Sequence, residues 1–367
     1  MTQVFLSVED MRATIPQAPH AVVMLAGYRR PQDGGGGTFY WDADETVSED
    51  GGTVFAPGGA EKGRYVRVRE NHHVNVKWFG AAGDGMTDDT AAIQAAIDAL
   101  PATGGEVILP GGHYAISRTL RIGDGDGTTP SRKNGIHLIG AGSGIGHQTV
   151  SQTTLVAICP MAVMMTVNGP ITDCRLACFS INAKKMVETG IRVTAVYGSH
   201  LDRVHVWQQM SVGIELNGGS AHVMFHQVGC ANAVEDATSL RIGGEGQEGD
   251  PVRDCVFTAC RFDTAQRDQG IAVHIRYAEK LSFRRCHMNV YRFETAKGLL
   301  LDAVGHDGYP RGNTFCDCSI TRGYINEDEA HRIGHQFFIG NGTYDHETIQ
   351  PHPHIFGITD IGSLLKR

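Results

Sequence analysis

NVKWFGAAGDGMTDDTAAIQAAI, residues Asn75–Ile97, followed by GGEVILP at Gly104–Pro110, is the stretch that decides the fold of this chain. Its pattern predicts a strand over Val74–Trp78, a glycine-rich turn, and a helix that begins around Thr87–Thr90. Ile93 and Ile97, four residues apart, put one apolar stripe on that helix. Thr87 or Asp88 is placed to cap its free amides, and Asp88 and Asp89 sit where the helix dipole favours anions. Pro101 and Gly104–Gly105 end the helix, and the chain turns back into a strand at Glu106–Leu109. The acids of this stretch invite a catalytic role, but capping and turn formation account for them without any chemistry.

The segment resembles the one that opens the right-handed β-helices of pectate lyase-like proteins, whose typical line reads GAxGDGxTDDTxAIQxAI, then GGxVxxPxGxY. Gly80, Gly83, Asp84, Gly85, Thr87–Thr90, Ile93–Gln94, Ile97, Gly104–Gly105, Pro110, Gly111 and Tyr114 carry the match. Phage and prophage tailspikes are prominent in that group. The resemblance implies an all-β fold: a single-stranded right-handed parallel β-helix with a small N-terminal β domain and one capping helix. It also implies binding and cleavage of a bacterial surface polysaccharide, generally by a homotrimer that meets phage tail or baseplate proteins. Tailspike catalytic residues are not fixed in sequence, so none carries over to this chain.

Composition sets outer bounds. The 47 glycines and 13 prolines among 367 residues, without a long apolar run, describe a turn-rich chain with no expected membrane insertion. Met1–Asp10 is neither basic nor followed by an apolar stretch, so no signal peptide is expected; the virion tail or the extracellular space is the expected location. A net charge of −8 argues against a nucleic-acid partner. The nine cysteines are expected to be buried free thiols, because several fall on a repeated inward position.

Residues 1–73 differ in texture and read as a small β-rich domain, with short strands at Val22–Leu25, Thr38–Trp41, Thr53–Phe55 and Tyr65–Val68. Residues 74–120 form the opening segment with its helix, 121–332 the β-helix, and 333–367 a cap or assembly segment. Asp33–Gly37 imitates a phosphate cradle but lacks the Lys-Ser/Thr and the following helix. HLIGAGSGIG at His137–Gly146 imitates a dinucleotide loop, yet no helical pattern follows it.

From about residue 170 an internal repeat appears, independent of the resemblance. An apolar residue, two others, an apolar, one other and an apolar recur at Leu176/Phe179/Ile181, Leu201/Val204/Val206, Phe257/Cys260/Phe262, Phe283/Cys286/Met288 and Phe315/Cys318/Ile320; Phe225/Val228 keeps the first part. A second strand follows at Gly190, Gly213, Ser239, Gly270 and Gly298. The repeat length runs from 24 residues (Leu201 to Phe225) to 32 (Phe225 to Phe257), one β-helix coil per repeat. Cys260, Cys286 and Cys318 then share one inward column.

Aligning coils stacks outward residues about 4.8 Å apart. One expected face concentrates Arg203, His205, His226, Arg261, Arg284, Arg285 and His287, a basic strip suited to an acidic polysaccharide. Asp202 and His226 are neighbours there and can trade protons; a solvated or inter-subunit face with ion pairs explains the strip equally well. A second candidate is a groove between long loops at 243–251 and 302–313, with His274 near its floor, Asp302 and Asp307 in its wall, and Glu215 two coils below. Hydrolysis of a glycosidic bond needs two carboxylates, about 5–5.5 Å apart for retention or about 6.5–9.5 Å for inversion. β-Elimination from a uronate instead needs a cation on the carboxylate and a base for the α-proton. No cofactor and no metal is expected: Asp124–Gly127 lacks the spacing of a calcium loop, and His331 and His335 lack the glutamate of a zinc helix. The leading expectation is therefore a polysaccharide depolymerase with Glu215, Asp302, Asp307, Asp202 and His226 as acid/base candidates. A non-catalytic tail component and a monomeric bacterial lyase are the alternatives.

Overall fold

A computed structural model describes residues 3–16, 18–58, 60–69, 73–144, 152–231, 236–243, 250–264, 270–290, 296–302, 312–321, 323–326, 336–339 and 359–360. From residue 73 onward the chain coils into a parallel β-helix. One sheet of eighteen strands, bent along its length, forms two faces, and a sheet of eight parallel strands forms the third. The outward columns pair in the register the repeat predicts: Ala177↔Asp202↔His226↔Thr258↔Arg284↔Cys316 on one run and Ser180↔His205↔Gly229↔Arg261↔His287↔Ser319 on the other.

The bend is built from one residue per coil. Cys178, Arg203, Gln227, Ala259, Arg285 and Asp317 all have φ between 50° and 61°. A non-glycine residue in this left-handed region is strained by roughly 1–2 kcal/mol, so something must hold each one. The next rung does so: the amides of Gln227, Ala259 and Arg285 donate to the carbonyls of Thr258, Arg284 and Cys316 at 3.0, 2.9 and 2.9 Å.

Inside, the first apolar column is a stack of rings. Phe225, Phe257, Phe283 and Phe315 are fully buried, with successive ring centroids 4.5, 4.4 and 5.0 Å apart and ring planes within 20°, 7° and 6° of parallel. Beside it, Cys260, Cys286 and Cys318 are buried free thiols. Each donates to the carbonyl of a phenylalanine in the coil before, Phe225, Phe257 and Phe283, at 3.4–3.5 Å. The small polarizable thiol fills the width left beside a ring and finds an acceptor there.

The opening segment departs from its predicted form in two details. The strand stops at Asn75, whose side chain accepts from the Lys77 amide at 2.9 Å and starts a 3-10 turn over Val76–Phe79. The helix spans Thr90–Asp98, and Thr87 does not cap it: its hydroxyl donates to Asp84. Asp88 accepts from the Thr90 amide and from the Thr90 and Ser117 hydroxyls, while Asp89 reaches back to the amides of Ala82 and Gly83. All three acids are thus consumed in forming the turn and the first coil. Burial raises the Asp89 pKa, against its backbone hydrogen bonds.

Ahead of the helix, five strands (Gln3–Phe5, Val22–Leu25, Gly37–Asp42, Arg64–Arg67, Val54–Phe55) form a separate sheet over its own core of Phe5, Met11, Phe39, Trp41, Phe55 and Tyr65. Asp33 closes a turn there by accepting from the amides of Tyr28, Arg29, Arg30 and Gly35. Arg67 ties sheet to helix: its guanidinium stacks on Phe39 and Trp78 and donates to the carbonyls of Gly35, Gly36 and Gly52. Burial pulls its pKa down to about 9. At the other end, Gln336–Ile339 pairs with Thr314–Cys316, and Thr359–Asp360 pairs with Gln336–Ile339, so rungs continue beyond the last legible repeat.

Candidate polysaccharide site on the bent sheet

The corner changes the geometry of the expected basic strip. Arg203 and Arg285 are corner residues, so Asp202, His226 and Arg284 lie on one face while His205, Arg261 and His287 lie on the next. The strip is folded along the corner and is not one flat face.

On the first face, the His226 Nδ1–H donates to Asp202 Oδ1 at 2.8 Å. The other Asp202 oxygen meets Arg175 Nη2 at 3.4 Å and Arg203 Nη2 at 3.3 Å. Burial pushes the Asp202 pKa up, but the hydrogen bond from His226 and the two guanidinia outweigh it, and the net shift is downward. A carboxylate held this way is a poor proton donor near neutral pH and a good orienter of the imidazole. It fixes the tautomer, leaving His226 Nε2 as an acceptor on a ring that is 53% exposed.

Across the corner lies a groove of about 600 Å³ lined by Arg203, His205, Trp207, Gln227, Arg261 and Asp263, among others. Its cause is one rung of small residues. Gly229 stands between His205 and Arg261, and Ala231 stands between Trp207 and Asp263. A Cβ on Gly229 would come within 2.3 Å of His205 Nδ1, so the space beside the ring depends on that glycine. Side chains two rungs apart are separated by about 10 Å. Two contacts of about 3.5–4.0 Å each leave room for a single flat ring between them.

The walls carry the polarity. Arg261 Nε donates to Asp263 Oδ2 at 2.7 Å, and Asn289 Nδ2 donates to Asp263 Oδ1 at 3.0 Å. His205 adds no charge: burial lowers its pKa to about 4, so it is a neutral wall, contrary to its expected place in a basic strip. Trp207 and Asp263 were not singled out by the repeat. They occupy the position after its last apolar residue, and extending the in–out alternation by one would have reached them. Arg284, Arg285 and His287 are exposed on the next coil beyond the groove, with Arg284 Nε donating to Ser282.

The second candidate is changed more deeply. Glu215 is outward but nearly closed over: its oxygens meet Arg192 Nε at 2.6 Å and Arg241 Nη1 at 3.6 Å, and its side chain is 8% exposed. It is a rivet between coils in the column Arg192↔Glu215↔Arg241↔His274. A carboxylate with both oxygens taken is not the open acid the sequence suggests. Asp302 ends the strand Lys297–Asp302; its side chain and all of Asp307 lie outside the described residues. Asp124 and Asp126 bind their own loop, accepting from Ser131, Arg132, Thr128 and Thr129.

A family profile described as rhamnogalacturonase A/epimerase, pectate lyase-like, matches residues 73–291. The chain belongs to that pectate lyase-like family. Residues 4–70 match the phage tail protein small four-stranded beta-sheet domain. Short segments are shared with curated proteins. One is 55% identical over 71 residues to mannuronan C5-epimerase AlgE1 of Azotobacter vinelandii, covering 19% of this chain and 5% of that protein. Another is 40% identical over 83 residues to the capsule K3-specific depolymerase 1 of Klebsiella phage KP32, covering 21% of this chain and 9% of that protein. Among solved structures, this pectate lyase-like chain superposes on the gp42 tailspike of Acinetobacter phage vb_AbaP_AS12 with a TM-score of 0.69 at 13% identity, over 94% of this chain and 57% of that one. It also superposes on tailspike gp49 of Acinetobacter baumannii bacteriophage Fri1, a capsular polysaccharide depolymerase, with a TM-score of 0.57 at 13% identity, over 100% of this chain and 78% of that one.

Proposed function

We propose that this pectate lyase-like protein is a phage tail component that binds an acidic bacterial surface polysaccharide and cleaves it by β-elimination. The observation that carries the proposal is the Asp202–His226 hydrogen bond flanked by Arg175 and Arg203, beside a slot one ring wide. A uronate seated with its carboxylate on the guanidinia presents its α-proton to His226 Nε2. The imidazole takes that proton, the bond to the leaving glycosidic oxygen breaks, a carbon–carbon double bond forms, and the released oxygen is protonated from water. Removing such a base lowers the rate by about 10²–10⁴. The capsule depolymerase and the epimerases that share segments with this chain support a polysaccharide ligand, and the tail-domain match supports placement on a virion tail.

The proposed assembly is a homotrimer attached through residues 1–73. Val4, Val22, Met24, Tyr40 and Val68 are exposed apolar side chains of the N-terminal sheet, a surface suited to burial against other copies or tail proteins. The function is tested by incubation with a panel of purified bacterial polysaccharides, following reducing ends and ultraviolet absorbance of unsaturated uronates together. Elimination raises both signals and hydrolysis only the first. A protein that binds and raises neither signal is a receptor-binding component, and the proposed chemistry is then wrong.

A further inference from the structure

A second cavity, of about 1190 Å³, lies at the capped end of the helix, away from the groove and the Asp202–His226 pair. It is bounded by the helix Thr90–Asp98, the strand Leu120–Ile122, the loop that follows it, and the strand Met161–Thr172. Four cations line it, Arg118, Arg121, Arg132 and Lys133, against two carboxylates, Asp98 and Asp124, in a chain whose net charge is −8. Two of the cations are engaged: Arg132 pairs with Asp124, and Lys133 donates to the Asp98 carbonyl. The other two are not. Arg121 and Arg118 are exposed, and neither guanidinium has an ion pair among the described residues; Arg118 lies near enough to Asp88 to lower its pKa. The backbone beneath them is fixed independently, because Gln94 accepts from the Arg121 amide and donates to its carbonyl. The cavity therefore presents two uncommitted guanidinia on a rigid floor, together with Thr166 and Asn168 as hydroxyl and amide partners.

We propose that this cavity is a second, non-catalytic binding site for an acidic oligosaccharide, with Arg118 and Arg121 holding its carboxylates. This rests on the reading that the ligand of the protein is an acidic glycan. The volume exceeds the roughly 300–1,000 Å³ of a typical small-ligand site, so it accommodates several sugars. The floor also leads onward: Arg121 pairs with Thr166 and Thr166 with Arg192, whose guanidinium, already paired with Glu215, lies about 10 Å further along the third sheet. Nucleic acid is disfavoured, since no aromatic residue lines the cavity among the described residues, leaving bases nothing to stack on, and the acidic chain repels a polyphosphate. An anchor here would hold a polymer while the bent sheet works on another part of it, raising the local concentration of cleavable bonds.

The test uses the full-length protein and modification of arginines by phenylglyoxal, read by mass spectrometry with and without hexagalacturonate. The expected result is severalfold protection of Arg118 and Arg121, none from neutral maltohexaose, and none at the exposed Arg29 and Arg30. R118A/R121A should weaken hexagalacturonate binding by about tenfold or more, the cost of losing charge-assisted contacts, with an unchanged circular dichroism spectrum. Protection of Arg175 and Arg203 alone would overturn this site and leave the proposed function standing. Protection of Arg118 and Arg121 alone would support this site and count against the bent sheet. Equal protection by a single-stranded hexadeoxynucleotide, or no protection at Arg118 and Arg121, overturns the proposal.

Discussion

Phe257→Ala removes the middle of the ring stack, where Phe257 lies between Phe225 at 4.5 Å and Phe283 at 4.4 Å and is fully buried. Phenylalanine-to-alanine changes in closed cores cost about 3–5 kcal/mol. Each ring pair contributes roughly 0.5–1.5 kcal/mol beyond its buried area. Two pairs are lost here, and the rung spacing prevents neighbouring coils from closing the gap, so we expect a loss near 5 kcal/mol. Because each coil touches only its neighbours, the effect should concentrate in the coils just N-terminal and C-terminal to the change, around Val228, Cys260 and Cys286. Equilibrium unfolding in guanidinium chloride, followed by tryptophan fluorescence, measures the total, and hydrogen exchange locates it. Phe257→Leu, which keeps most of the volume, should cost less than about half as much. A loss under about 1.5 kcal/mol for alanine, or equal losses for alanine and leucine, would refute the argument that stacked rings hold the coils together.

Cys260, Cys286 and Cys318 should resist alkylation in the native protein, and Cys→Ala at each should cost on the order of 1 kcal/mol; a disulfide between any two of them would contradict the inward column. His205 has a folded pKa near 4 against about 6.5 unfolded, so the unfolded state binds more protons between those values, and stability is full above about pH 6.5 and falls as pH drops toward 4. The loss should reach on the order of 3 kcal/mol and vanish in His205→Gln, read from denaturation midpoints across that range; an unchanged slope would show that His205 is not buried. Met24→Lys on the exposed sheet face should dissociate the proposed trimer, seen as a drop in mass by sedimentation. A wild-type protein that is monomeric would remove the assembly proposal altogether.

The repeat made the register of the coils legible because each inward column is chemically uniform: rings at Phe225 to Phe315, thiols at Cys260 to Cys318. The opening segment with its helix was equally legible in outline, since Asp84, Asp88 and Asp89 are spaced for turns. What the sequence hid was curvature. A left-handed corner filled by Arg203, Gln227, Ala259 and Arg285 has no residue signature, because the next rung's carbonyl holds whatever stands there. That corner split the expected basic strip into two faces. Burial was hidden for a related reason: His205 and Glu215 are outward in register, yet neighbouring side chains close over them. The slot at Gly229 and Ala231 was visible only as an absence of side chains, which acquires meaning once Trp207, Arg261 and Asp263 are seen on the rungs around it.

The central claim is that His226, oriented by Asp202, removes a proton from an acidic polysaccharide. Its most direct test is the rate of formation of unsaturated uronate ends from a polysaccharide that the wild-type protein cleaves, compared among wild type, His226→Gln and Asp202→Asn. His226→Gln should lose about 10²–10⁴ in rate and Asp202→Asn less, with unchanged folding and mass in both. Full activity in His226→Gln, or reducing ends appearing without any unsaturated product, would contradict it.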